Sequence, residues 1–190
     1  QFLAQALQRM IRTGMFATDR VARFLKQGGP DAVLAGVDRL QLTSGHARRT
    51  YYSALLAQAD LTSPQLTRML DSVATMTSDH EKGTLLTQIL QERSATDEQR
   101  VMVARAVGKI NSDHEQRRVL SAALDVPSLS PALVNAVLET VGTINSSHER
   151  SQVLRAVAAK GAVTAQTTER FMSLVTTMTS SHEQRQVLAA

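Results

Sequence analysis

Four copies of the dipeptide His-Glu, at 80–81, 114–115, 148–149 and 182–183, are the residues of this chain best suited to chemistry. A fifth histidine, His46, stands before Ala47, and all five histidines fall at a spacing of 34 residues. A helical His-Glu is half of the His-Glu-x-x-His zinc hydrolase motif, which needs a second imidazole one turn on. Thr84, Arg118, Gln152 and Gln186 hold those places, so the motif is incomplete in every copy. Sharing a metal between copies fails on distance. Stacked helices lie roughly 8–10 Å apart, whereas imidazole nitrogens must come within about 2.0–2.1 Å of zinc. Consecutive residues on a helix do not face each other, which argues against a His/Glu acid–base dyad. No catalytic, cofactor-binding or metal-binding residue is therefore assigned, and the expectation is a protein that is not an enzyme.

The surroundings of the histidines point to structure instead. Ser44, Ser78, Ser112, Ser146 and Ser180 each precede a histidine by two residues and suit the N-cap of a helix. The glutamates three residues after the last four of these serines, Glu81, Glu115, Glu149 and Glu183, complete a Ser-x-x-Glu capping box. Ala47 removes half of the box in the first copy. At the second helical position, His80, His114, His148 and His182 sit beside exposed backbone N–H groups and the positive end of the helix dipole, which favour a neutral ring. Such a ring donates one hydrogen bond and accepts another, and would tie each cap to the turn of an adjacent copy.

One turn further lies a second chemical feature, a basic column of Arg48, Arg49, Lys82, Arg117, Arg118, Arg150 and Arg185, with Arg155 beyond it. As candidate partner-binding residues these present a stripe to an acidic protein face or a polyanion. The alternative is a solvated surface in which they pair with the neighbouring glutamates. Aromatic residues make up only 3% of the chain, with no Trp and two Tyr, so bases have little to stack on, and nucleic acid is a possible but unfavoured partner.

The elements that must position these residues follow from the period. From Ser44 the copies overlay without gaps as 44–77, 78–111, 112–145 and 146–179, with a partial copy at 180–190 and a degenerate N-terminal cap at 1–43. The first helix of each copy carries an apolar pair: Tyr51-Tyr52, Leu85-Leu86, Val119-Leu120, Val153-Leu154 or Val187-Leu188. The second starts at Thr62, Thr96, Ser130 or Thr164, with Gln65 and Gln99 as reciprocal capping partners and Pro64 and Pro131 in the first turn. Its stripe has i, i+4, i+7 spacing: Met69, Val73, Met76; Val103, Val107, Ile110; Val137, Val141, Ile144; Phe171, Val175, Met178. Before the repeats, Phe2, Leu3, Ala6, Leu7, Met10 and Ile11 line one helical face that Gly14 ends. Thr18 caps a short helix that Gly28-Gly29 ends, and Pro30 opens the next.

No stretch alternates long enough for a strand. A 34-residue period with two helices per copy predicts an all-α, right-handed α-solenoid of about six HEAT-like repeats in a single domain over 1–190. The tetratricopeptide marks of the same period are absent. The 190 residues are 43% hydrophobic and 20% charged, which suits a packed core, and 21 basic against 17 acidic residues leave a net charge of +4. The absence of cysteine fits cytosol and periplasm equally. No apolar run approaches the ~20 residues a transmembrane helix needs. The chain opens on Gln1 and stops eleven residues into a repeat, so it reads as a piece of a longer protein, and an uncovered apolar face at the end of an array would allow self-association.

The phrase Ser112-Asp113-His114-Glu115-x-x-x-Val119-Leu120 resembles the tandem repeats of bacterial proteins in which Ser-Asp-Tyr-Glu-Lys-x-x-Val-Leu is common. The segments Asp19–Arg23 and Arg48–Tyr52 take part in the likeness. The resemblance implies a bacterial, in some cases envelope-associated, origin and carries no established activity or cofactor. Together these features predict a repeat scaffold that binds an unidentified protein partner. A nucleic-acid-binding repeat protein and a self-associating module are the alternatives.

Overall fold

Serine capping and apolar periodicity shape most of the helices in the computed structural model, which describes residues 9–126 and 128–190. Ten α-helices are described: α1 Ala17–Leu40, α2 Gly45–Leu56, α3 Ser63–Ala74, α4 Asp79–Gln91, α5 Asp97–Ala106, α6 Asp113–Leu124, α7 Pro131–Val141, α8 Ser147–Ala159, α9 Thr168–Thr176 and α10 Ser181–Leu188. A 3₁₀ turn, Val107–Lys109, extends α5. Among the described residues there is no strand, so the protein is all-α. The predicted apolar positions Phe2, Leu3, Ala6 and Leu7 lie outside the described residues.

The contacts divide the chain into two compact units, residues 1–88 and 89–190. In the first, α1 packs on α2 and α3. Gly14 ends the helical turn before α1 with φ +86°, and Met15 N–H reaches the Met10 carbonyl at 3.2 Å, the bond pattern of a glycine-terminated helix. Within α1 the backbone breaks at Gly28-Gly29, where Gly29 takes φ +64°, and Pro30 restarts the helix. Thr18 does not cap this helix. Phe16 holds the N-cap place in a left-handed conformation, φ +56°, with no side-chain cap bond, which puts Thr18 inside the first turn. Gly36 lets the two halves of α1 close on each other, because a Cβ there would lie 2.7 Å from the Phe24 ring.

In the second unit, helices one repeat apart lie against each other: α5 on α7, α7 on α9, α6 on α8, and α8 on α10. Helices adjacent in sequence also touch, α5 with α6, α6 with α7, α7 with α8 and α9 with α10. Each helix is thus amphipathic for two neighbours, and burial follows the predicted stripes. Val103, Val107, Ile110, Val137, Val141, Ile144, Phe171, Val175 and Met178 are at most 5% exposed, as are Val119, Leu120, Val153 and Leu154. Gly142 faces α9, with Leu174 Cδ2 at ordinary contact distance, 3.6 Å, from where a Cβ would stand.

The second helix of the last full copy departs from the expected start. Thr164 does not cap it; residues 165–167 form a turn, and α9 begins at Thr168 with Thr167 before it. The counterparts of Thr167 are Gln65, Gln99 and Leu133. Gln65 and Gln99 close capping boxes with Thr62 and Thr96, and Ser130 caps Leu133 N–H beside Pro131. Thr167 accepts Thr164 N–H at 2.8 Å, as Gln65 and Gln99 accept those of Thr62 and Thr96, but it also donates to the Ala162 carbonyl at 3.1 Å, which stabilises a turn in place of the first helical turn.

Candidate inter-repeat clamp

The five repeated serines cap α2, α4, α6, α8 and α10. Their Oγ atoms accept the N–H of Ala47, Glu81, Glu115, Glu149 and Glu183 at 3.3–3.4 Å. The carboxylates of Glu81, Glu149 and Glu183 do not spend their bonds on their own caps; they are held by the preceding copy. Arg49 donates to Glu81 Oε2, and His46 Nδ1 lies 3.3 Å from Glu81 Oε1. Arg117 donates to Glu149 Oε2, and His114 Nδ1 lies 3.6 Å from Glu149 Oε1. In the next copy Ser151 takes the part of the arginine, donating to Glu183 Oε2, with His148 Nδ1 3.2 Å from Oε1.

The reason the glutamate is free to do this is visible at Ser146. The N–H that a capping-box glutamate would satisfy is already taken, because Ser146 N–H donates to Asp113 Oδ2 at 2.8 Å and Asn145 N–H to Asp113 Oδ1 at 3.1 Å. Ser147 repeats the contact to the residue before the cap, accepting Thr179 N–H at 3.1 Å. At Asp113 and Ser147 the first residue of one helix thus holds the backbone entering the next copy, and at Ser146 this leaves Glu149 to turn to its neighbour.

The histidines are about 61–62% exposed where they meet these glutamates, whose side chains are only 13–18% exposed. Bonding from Ser151 first, and then from His148, holds the Glu183 carboxyl below its ordinary range. Among the described residues no three His, Cys, Asp or Glu side chains converge as a metal site.

The basic column divides into two kinds of residue. Arg48 donates to the carbonyls of Leu42 and Ser72 at 2.8 Å each and to Thr75 Oγ1 at 2.7 Å. Arg150 likewise donates to the Ile144 carbonyl and, at 3.2 Å, to Thr177 Oγ1. Their counterparts one or two copies away are glutamines with the same task. Gln116 donates to the Ile110 carbonyl while Thr143 donates to Gln116 Oε1, and Gln184 donates to the Met178 carbonyl at 2.9 Å. Lys82, at the same position, is 5% exposed and 3.3 Å from Asp79. Arg48, Gln116, Arg150 and Gln184 close the turn before their helix, and the first three also reach a threonine near the end of their own copy. Arg49 and Arg117 belong to the clamp, and Arg118 bonds Glu115 on its own helix. Arg155 has its Nε buried without a hydrogen-bond partner. Arg185 is exposed and has no partner among the described residues.

Gln116, Gln184, Asp113, Ser147, Ser151 and the threonines at 75, 143 and 177 were not singled out by sequence reasoning. Their signal is the overlay of copies: a position that alternates Arg, Lys and Gln needs a hydrogen-bond donor rather than a charge.

Elsewhere on the second unit a groove of about 570 Å³ runs beside α7 and α9, lined by Leu138, Glu139, Gly142, Glu169 and Arg170 among others. Among the described residues no helix is long and apolar enough to cross a membrane. No family model, curated protein or solved structure matches this chain.

Proposed function

We propose that this chain is a non-enzymatic helical-repeat scaffold for protein–protein interaction, a right-handed α-solenoid of about six HEAT-like repeats and part of a larger bacterial protein. The observation that carries the proposal is the clamp. Of the residues best suited to chemistry, the histidines at 46, 114 and 148 and the glutamates at 81, 149 and 183 serve to join one copy to the next. A catalytic centre is seldom needed several times over, whereas a repeat array needs the same joint at every step. Packing of equivalent helices on each other in the second unit supports the stacked arrangement.

A polyanion stripe is less favoured. Arg48 and Arg150 hold carbonyls, Arg49, Arg117 and Arg118 hold glutamates, and Lys82 is buried, which leaves few of the column free to neutralise phosphates. The test uses the purified chain immobilised as bait in bacterial extract, in parallel with a titration by duplex DNA at low salt. Retention of a defined protein that withstands moderate salt is expected. DNA binding that falls steeply with salt, with no protein retained, would replace the scaffold by a nucleic-acid-binding protein.

A further inference from the structure

The start of the second helix is built alike in two copies and differently in the copy between them. Leu61 and Leu66 at α3, and Leu129 and Val134 at α7, hold the places just before the cap and four residues after it, where an apolar pair staples a helix start. Leu66 and Val134 are at most 3% exposed. At α5 the same two places hold Ala95 and Arg100. Thr96 and Gln99 close a capping box there, so α5 begins in the same register and Arg100 stands where an apolar side chain is packed in the other two.

A guanidinium in an apolar place needs a partner. Arg100 Nε is buried with no hydrogen-bond partner, and among the described residues no carboxylate pairs with this side chain. A buried charged donor left unpaired is costly and uncommon in a folded protein, and arginine cannot escape the cost by losing its proton. Beside it, within the second unit, lies a cavity of about 430 Å³, in the size range of small-molecule sites. Leu90, Ala122 and Val126 form its apolar wall, and Glu92, Arg93 and Asp125 also line it. Asp125 is engaged by Lys160 at 3.4 Å. That leaves Arg93 and Arg100 against Glu92, an excess of one positive charge, which matches a monoanion rather than a polyphosphate.

We infer that this cavity binds a small amphipathic monocarboxylate. Its carboxylate accepts from the Arg100 guanidinium, whose parallel N–H groups fit two carboxylate oxygens, and its apolar body lies against Leu90, Ala122 and Val126. The site is separate from the clamps and does not depend on the scaffold function.

The probe is octanoate, titrated into the whole chain by calorimetry, with octanol and octyltrimethylammonium in parallel. Saturable one-to-one binding of octanoate alone is expected, together with a raised unfolding temperature. Arg100→Leu gives α5 the residue that α3 carries at Leu66, so the helix start is kept, and it should weaken binding at least about tenfold, as loss of a charged hydrogen bond would. Glu92→Gln removes the acid that repels the ligand and should tighten it. Absence of saturable binding at millimolar octanoate, or an Arg100→Leu chain that binds as well as the parent, would overturn the site. Equal binding of octanol would reduce it to an apolar cavity, and preference for octyltrimethylammonium, lost in Glu92→Gln, would assign it to a cation; either result overturns the carboxylate.

Discussion

Replacing Glu149 and Arg117 by alanine, singly and together, measures what one clamp contributes. Their side chains are 18% and 22% exposed, so the pair lies between two limits. A screened surface pair contributes about 0.2–1 kcal/mol, and a buried charge-assisted hydrogen bond about 1.5–3 kcal/mol. An intermediate coupling of about 1 kcal/mol follows. His114, 61% exposed and 3.6 Å from the carboxylate, adds at most a few tenths of a kcal/mol by the same surface-pair scale. Glu149→Ala alone should cost somewhat more than the coupling, about 1.5 kcal/mol, because it leaves the half-buried Arg117 guanidinium without its acceptor. The assay is urea unfolding of the four proteins followed by circular dichroism, with Arg185→Ala as a control expected within about 0.5 kcal/mol of the parent. A coupling energy within about 0.3 kcal/mol of zero would refute the idea that the pair joins the copies.

Three further outcomes are expected. Leu120→Ala, at a fully buried position under α8, should cost about 2–5 kcal/mol by calorimetry; a loss under 1 kcal/mol would mean that the stripe is not packed. Gly29→Ala should cost about 1 kcal/mol or more from its left-handed φ alone, since nothing lies within 4 Å of the new Cβ; a neutral result would show that the break in α1 is not held at that conformation. Glu183, held by Ser151 and His148, has its carboxyl pKa lowered from an ordinary value of 4.5. Its contribution to stability is therefore present above that ordinary value and lost as pH falls through the lowered one. Ser151→Ala should return the Glu183 titration, followed by carboxyl NMR, toward the ordinary value; an unmoved midpoint would remove Ser151 as the cause.

Most helix starts and the apolar stripes were legible in the sequence because each depends on local spacing. A serine caps whatever helix follows it, and Val137, Val141 and Ile144 must share a face wherever they are packed. Thr18 and Thr164 misled because a threonine caps only when its neighbours complete the first turn: Phe16 holds the cap place ahead of Thr18, and Thr167 supplies a competing turn. The role of the glutamates was less legible. Ser-x-x-Glu is a local pattern, but Asp113 of the preceding copy occupies the N–H at Ser146, a contact 33 residues away that no local rule contains. The basic column was misleading for the same reason. Arg48 and Arg150 read as surface cations until the fold brings carbonyls and threonines to them, although the glutamines at 116 and 184 in the same position already mark it as a hydrogen-bonding site.

The central claim is that a repeated joint, seen at Glu81, Glu149 and Glu183, couples each of these copies to the one before it. Substituting Arg49, Arg117 and Ser151 by alanine together opens three joints without touching the apolar stripes. The account predicts a lower urea midpoint and a transition that broadens, with fluorescence from the two tyrosines, near the first joint, no longer coinciding with circular dichroism of the whole. A single sharp transition at the parent midpoint, identical by both probes, would contradict it.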